Sequence, residues 1–248
     1  MSWSWFHKLG SPPHFDDRAR RWAPWLEIGA LLLVAYGLIG GLVLAPPDYQ
    51  QGEVYRIIYV HVPAAWLSLF LYSGMAVSAI VVLVWRMKLA ECALVALAPV
   101  GASFTALALV TGMIWGKPTW GAYWVWDARL TSELVLLFLY LGVIALQGAM
   151  LDARKGARAA ALLAVAGWVN VPIVHYSVEW WNSLHQTASI ARIGKPSLDA
   201  SMLWPLLAMA LGLTLFSAAN VLRRMRAENL RRNARQRWAR ERVEAARV

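Results

Sequence analysis

Three histidines in this chain lie beside aromatic residues and have the chemistry of metal ligands. His61 stands within 59–63, and His175 and His185 flank the run 176–184, which holds two tryptophans. A neutral imidazole is a common metal ligand, although a lone histidine at the end of an apolar helix more often makes a structural hydrogen bond. Zinc or copper would recruit a third or fourth Cys, His or carboxylate ligand. The neighbouring acidic residues have no such spacing.

A second cluster of chemically distinctive residues follows at 115–127, where four tryptophans, a tyrosine and an aspartate separate two long apolar runs. Trp and Tyr are enriched where a membrane span meets water, so the rings could simply anchor the segment there while Asp127 and Arg129 close a local turn. Alternatively, Trp120, Trp124 and Trp126 could shelter a flat apolar porphyrin, each contact contributing about 1 kcal/mol. Two imidazoles beside such a surface favour haem.

The conformation of this segment decides which side chains act together. A helix would place Trp120, Trp124 and Asp127 on one face by their i, i+4, i+7 spacing. An extended chain would instead point Trp124 and Trp126 the same way. The sequence leaves both possibilities open. Arg129 and Arg56 are candidates for the haem propionates, because a guanidinium can form two parallel bonds with a carboxylate.

Apolar segments dominate the rest of the chain and must position these residues. The sequence is 59% hydrophobic and only 15% charged, which indicates a membrane protein. We predict an all-α integral membrane protein with six transmembrane helices, one membrane domain over 1–248, and a basic cytoplasmic tail at 222–248. We expect the first span to serve as its own insertion signal, without a cleaved signal peptide. The predicted spans are 26–45, 57–85, 92–115, 134–150, 159–178 and 202–221.

Basic residues predict the orientation of these spans. Ten arginines follow Val221, and nine further Lys or Arg residues lie in the amino-terminal arm and in two loops on the same side. Because such residues stay in the cytoplasm, we predict cytoplasmic termini and a periplasmic tryptophan-rich segment between helices 3 and 4. The net charge of +10 is explained by this topology and by membrane lipid headgroups, and we predict no nucleic-acid partner. A contact of the tail with a cytoplasmic subunit stays open.

The single cysteine, Cys92, excludes an intramolecular disulfide, and no C-x-x-C-H motif offers thioether attachment of haem. The absence of a G-x-x-x-x-G-K-[ST] motif places any ATP hydrolysis in a partner, so we predict a transfer component rather than an enzyme. A small-solute permease is the alternative, but it requires ionisable residues inside the spans, where Gln147 and Asn170 are the main polar residues. A purely structural subunit would leave the histidines and tryptophans unexplained.

The run from Trp115 to Ser132 reads Trp-Gly-x-x-x-Trp-Gly-x-x-Trp-x-Trp-Asp-x-Arg-Leu-Thr-Ser. It resembles the tryptophan-rich signature of the haem-handling proteins of cytochrome c maturation. Nearly the whole chain is similar to the six-span branch of that family, the haem exporter C proteins, and the similarity weakens in the amino-terminal arm and the tail. Further matching segments are 48–52, 55–59, 61–66 and 175–186.

The resemblance implies that His61 and His185 bind the iron of haem b from opposite faces. It also implies that the tryptophan-rich segment is the haem platform and that haem passes to a periplasmic haem chaperone. ATP-binding and membrane subunits of an ABC transporter, with a small single-span subunit, would be partners. His175 is not carried over, because it falls inside the fifth span, where a structural hydrogen bond is expected. The candidate haem-contacting residues are Trp115, Trp120, Trp124, Trp126, Asp127, Arg129 and Arg56.

Overall fold

The computed structural model describes residues 10–150, 152–181, 183–185 and 198–245. Within these ranges the regular elements are helices. The α-helices are α1 (Pro12–Ile39), α2 (Ile58–Trp85), α3 (Lys88–Trp120), α4 (Ala128–Ala149), α5 (Ala153–Gly167), α6 (Asn170–Trp180), α7 (Ala200–Arg232) and α8 (Arg237–Ala245). A π-helix over Gly40–Leu44 continues α1, and a 3-10 helix over Glu53–Ile57 precedes α2.

Among the described residues, six helical stretches are long and apolar enough to cross a membrane, which confirms the all-α class and the six predicted spans. Two helices run well past the predicted limits, because hydropathy detects only the apolar part of a helix and the polar turns continue beyond it. The first begins at Pro12, whose fixed φ suits a first helical turn. The stretches are Pro12–Leu44, Glu53–Trp85, Lys88–Trp120, Ala128–Ala149, Arg154–Trp180 and Ala200–Arg232.

The fifth span is interrupted where the sequence predicted a continuous segment, since α5 ends at Gly167 and α6 begins at Asn170. Pro172 has no N–H to bond the Trp168 carbonyl four residues earlier, so the α-helical ladder loses a bond at this point, and the Val171 N–H bonds that carbonyl at 2.9 Å. The Asn170 side chain donates to the Ser132 carbonyl at 2.9 Å. This bond joins the second half of the span to α4, near the residue at which α4 begins.

The core of the bundle is centred on two tyrosines, Tyr72 of α2 and Tyr140 of α4. Their rings meet edge to face with centroids 4.9 Å apart, and both are fully buried. The Tyr140 hydroxyl donates to the Ser68 carbonyl at 2.8 Å. The ring also crosses α3 at Gly101, where a Cβ atom would lie 2.2 Å from the ring carbon Cζ. Glycine at this position therefore sets the spacing between α3 and α4.

We expect Gly101→Ala to lower the free energy of unfolding by about 1–3 kcal/mol, the usual cost of forcing extra atoms into a packed core. Thermal unfolding of the purified protein in detergent measures this loss. Gly148→Ala is the matched control, because nothing lies within 4 Å of the Cβ position there. Equal midpoint temperatures for the Gly101→Ala variant and the unsubstituted protein would contradict the close approach.

Ion pairs bring the start of α1, the end of α7 and α8 to one end of the bundle. Arg226 bonds the buried Asp16 at 2.7 Å, and Arg242 bonds Asp17. Much of the predicted basic tail is therefore helix packed against α1. We call this end the inner end and the opposite one, where α2 begins and α3 and α6 end, the outer end. The compartment that each end faces stays a prediction.

Candidate functional site

The tryptophan-rich segment is partly helical and partly extended. α3 continues through Trp115 and ends at Trp120. The next residue, Gly121, caps the helix with a φ of 81°, in the left-handed region that favours glycine. The chain then runs without regular structure to Asp127, which caps α4 by accepting from the Leu130 N–H at 2.8 Å. Trp124 and Trp126 contact each other edge to face, with centroids 5.3 Å apart. The extended alternative is thus the one that this part of the segment adopts.

His61 lies in the first turns of α2 and faces α3. Its Nδ1 is 3.0 Å from the hydroxyl oxygen of Thr111, and its ring meets Trp115 edge to face with centroids 5.5 Å apart. The Thr111 hydroxyl already donates to the Leu107 carbonyl at 2.7 Å, so it accepts from the imidazole. His61 therefore carries its proton on Nδ1, and the lone pair is on Nε2.

His185 is held by the residue that caps α4. Its Nδ1 lies 3.3 Å from Oδ2 of Asp127, and the same oxygen accepts from the Ser183 hydroxyl at 2.6 Å. Trp120 meets the imidazole edge to face, with centroids 4.8 Å apart. The tryptophan-rich segment thus supplies both the carboxylate and a ring that orient this histidine.

Burial would raise the pKa of Asp127, but hydrogen bonds from Ser183 and from the Leu130 N–H, together with nearby His185, hold the pKa below its usual value. Burial also lowers the pKa of His185; Asp127 opposes this effect and Arg129 adds to it. At neutral pH the carboxylate is therefore charged and can only accept, while the imidazole is neutral. His185 consequently has its proton on Nδ1 and its lone pair on Nε2, like His61.

A cavity of about 220 Å³ at the outer end joins these residues. Both histidines line it, with Trp115 and Trp120 on the α3 side and Arg129 from the first turn of α4. Trp124, Trp126, Asp127 and Arg56 are not among its lining residues. The structure therefore brings five of the nine predicted site residues to one cavity, holds Asp127 behind His185, and leaves the other three outside.

Arg129 is partly buried, and among the described residues its guanidinium has no hydrogen bond or direct ion pair, although the carboxylates of Glu133 and Asp127 lie near enough to attract it. Its place in the first turn of α4 is unfavourable for a positive charge, because the helix dipole is positive there. Arg56, in contrast, bonds Glu53 and donates to the Gly41 carbonyl at 2.8 Å. Arg129 is the guanidinium that remains available to an anion in the cavity.

His175 also lines the cavity, but its environment differs from that of the other two histidines. It is exposed, and its ring contacts Tyr176 edge to face with centroids 4.6 Å apart. In the described part of the chain its ring has none of the hydrogen bonds expected of a structural histidine. Across the same residues, no group of three or more His, Cys, Asp or Glu side chains could hold a metal ion.

Comparison with known proteins identifies the family of this chain. The family model described as Heme exporter protein C matches residues 5–240. The chain is 51% identical to Heme exporter protein C of Escherichia coli K12 over 239 residues, 96% of each chain. It is 50% identical to the protein of that name from Bradyrhizobium diazoefficiens over 227 residues, 92% of this chain and 86% of the relative. The chain belongs to the haem exporter protein C family.

A more distant relative within the same comparison comes from Arabidopsis thaliana. It is a putative cytochrome c biosynthesis ccmC-like mitochondrial protein, 40% identical over 199 residues, which cover 80% of this chain and 75% of the relative. The six apolar helices and the bacterial relatives of the haem exporter protein C family identify this member as a multi-pass protein of the bacterial inner membrane.

Sequence reasoning missed three residues that position the site in this family member: Thr111, Ser183 and Gln51. Gln51 accepts from the indole N–H of Trp115 at 2.7 Å and lines the cavity. Thr111 precedes Trp115 by four residues, so the helical i, i+4 relation was a usable signal once Trp115 was a candidate. Ser183 reaches Asp127 across 56 positions of sequence, and no local pattern indicates that contact.

Proposed function

We propose that this chain binds haem b at the periplasmic face of the inner membrane and delivers it to a periplasmic haem chaperone during cytochrome c maturation. One observation carries the proposal: two histidines from distant segments line one cavity, and each has its Nδ1 occupied by an acceptor of the protein. Each ring therefore keeps an Nε2 lone pair for an iron atom. The printed names of the relatives, as haem exporters and cytochrome c biosynthesis proteins, point to the same ligand.

The residues of the cavity fit a haem. His61 and His185 would hold the iron, Trp115 and Trp120 would contact the apolar macrocycle, and Arg129 would pair with a propionate. When bound, haem would supply an iron that can accept a nitrogen from each of the two imidazoles. The chain's contribution is to bind it, orient it and keep its edge accessible from the outer end.

The exposed half of the tryptophan-rich segment supports a delivery role. Trp126 is 75% exposed and Tyr123 is 56% exposed, although both stand beside residues that position the site. Large exposed aromatic side chains are typical of surfaces that contact another protein. We assign this half, with Trp124, to contact with the chaperone or with the haem edge as it leaves.

A transport component, and not an enzyme, is the role that these features support. ATP hydrolysis and release of the loaded chaperone would come from the ATP-binding and membrane subunits of an ABC transporter, assisted by a small single-span subunit. The cytoplasmic ends of the spans and the tail would face anionic lipid and these partners. No residue of the cavity is assigned a catalytic part.

Trp120→Ala tests the platform directly. We expect it to reduce haem retention and transfer to the purified chaperone by about twofold to thirteenfold, because an aromatic contact contributes about 0.5–1.5 kcal/mol. Transfer is measured as haem that stays on the chaperone after denaturing electrophoresis. Trp25→Ala is the control, since Trp25 is 66% exposed on α1 and does not line the cavity. Equal transfer by the Trp120→Ala variant and the unsubstituted protein would remove the tryptophan from the proposed function.

A further inference from the structure

The two histidines of the cavity are held by acceptors of unlike chemistry. His185 donates its Nδ1 proton toward the Asp127 carboxylate, whose side chain is only 6% exposed. His61 donates to the neutral Thr111 hydroxyl, which itself donates a hydrogen bond to the Leu107 carbonyl of the same helix. One imidazole is therefore polarised by a full negative charge and the other by a dipole.

We propose that His185 is the stronger axial ligand of the haem iron and that His61 is the ligand that leaves first during handover. This inference rests on the proposed function. It assigns Asp127 and Thr111 as positioning residues that set the order of release. A carboxylate that accepts from a metal-bound imidazole raises the basicity of the ligating nitrogen, whereas a hydroxyl does so much less.

The distances do not reverse this order. The Asp127 to His185 contact, at 3.3 Å, is longer than the 3.0 Å contact between Thr111 and His61. A full charge at that distance in a site screened from water still acts more strongly than a neutral oxygen a few tenths of an ångström closer. Arg129 lines the same cavity as both rings.

The surrounding contacts also hold His185 more firmly than its place in a loop suggests. Asp127 bonds Ser183 as well as His185, and it is itself fixed as the cap of α4. Trp120 packs against the same imidazole. Release of His61 from the iron requires no rearrangement of this network. His61 would leave as a neutral imidazole that keeps its Nε2 electron pair. An incoming neutral donor would bind the iron in its place, without any proton or electron transfer.

Single-ligand variants of the full-length protein measure the order. We expect His61→Gly, which retains His185, to bind haem at least tenfold more tightly than His185→Gly, which retains His61. Adding Asp127→Asn to each variant should remove that difference, because it should lower the haem affinity of the His61→Gly protein. Thr111→Val should weaken only the His185→Gly protein, and Thr111→Ser should restore it.

Two matched controls separate this effect from loss of local structure. Asp152→Asn removes an equivalent aspartate cap, of α5 at the inner end, and Thr214→Val removes a helical threonine whose hydroxyl also bonds a backbone carbonyl. Neither should change the ratio of the two affinities. In the protein with both histidines, Asp127→Asn should raise the midpoint potential of the bound haem. The increase is about 59 mV for each tenfold fall in the ratio of the affinity for ferric haem to the affinity for ferrous haem. Thr111→Val should leave the midpoint potential nearly unchanged.

Equal affinities of the two glycine variants, or tighter binding by the variant that retains His61, would overturn the proposed order. That result would leave the proposed function intact as long as both histidines contribute to binding. If haem affinity did not depend on either histidine, the proposed function itself would fail and the inference with it.

Discussion

We expect replacement of His61 and His185 together with alanine to abolish haem retention by the purified protein. The two side chains are the cavity's imidazoles whose Nδ1 atoms are engaged within the protein, so each offers Nε2 to the iron. Loss of a single residue that merely supports a metal ligand costs roughly 10–100-fold in affinity, and loss of both ligands should cost more. Haem titration followed by absorption spectroscopy measures the effect.

His175→Ala is the control for this experiment. His175 lines the same cavity, but it is exposed and its ring contacts Tyr176. We expect this variant to bind haem within about twofold of the unsubstituted protein, a difference of roughly 0.4 kcal/mol. If the His175→Ala protein lost haem while the double variant retained it, the ligands would have been assigned to the wrong histidines.

Replacing Arg129 with leucine should weaken haem binding by roughly 10–150-fold, since a hydrogen bond to a charged group contributes about 1.5–3 kcal/mol. The side chain lines the cavity. Among the described residues its guanidinium forms no direct ion pair, although the carboxylates of Glu133 and Asp127 lie near enough to attract it. Because a cation is unfavourable in the first turn of α4, its removal should not destabilise the helix. Competition between haem and its dimethyl ester, which lacks free propionates, measures the charge contribution.

Arg56→Leu provides the matched guanidinium for comparison. Arg56 is bonded to Glu53 and to the Gly41 carbonyl and does not line the cavity, so the variant should discriminate haem from the ester as the unsubstituted protein does. If Arg56→Leu removed the discrimination and Arg129→Leu did not, the propionate contact would belong to Arg56. From the sequence alone, both arginines were equal candidates for pairing with the haem propionates.

The membrane architecture was predictable because burial in lipid requires long apolar helices, which leave a strong signal in sequence. Six spans were predicted, and the described part of the chain contains six helical stretches long and apolar enough to cross a membrane. The interruption of the fifth span at Trp168 was not predicted, although Pro172 carries the signal for it. A hydropathy average over many residues does not detect such a break, because the break changes backbone hydrogen bonds and not the apolar character of the segment.

The candidate site was predictable in its residue types and only partly in its geometry. Trp115, Trp120, Arg129 and the two histidines meet in one cavity, as residues with that chemistry should. The place of Asp127 behind His185 could not be foreseen, because it depends on how a loop 58 positions later folds back. Thr111 likewise lies on a different helix from the histidine that it orients.

Electron paramagnetic resonance of the ferric, haem-loaded protein tests the central claim most directly. With histidine labelled by ¹⁵N, the two ligating nitrogens can be identified by their hyperfine coupling to the iron spin. Two histidine ligands on a low-spin, six-coordinate iron in the full-length protein are the predicted result. A high-spin iron, or an iron with fewer than two histidine nitrogens bound, would contradict the assignment of His61 and His185 as the axial pair.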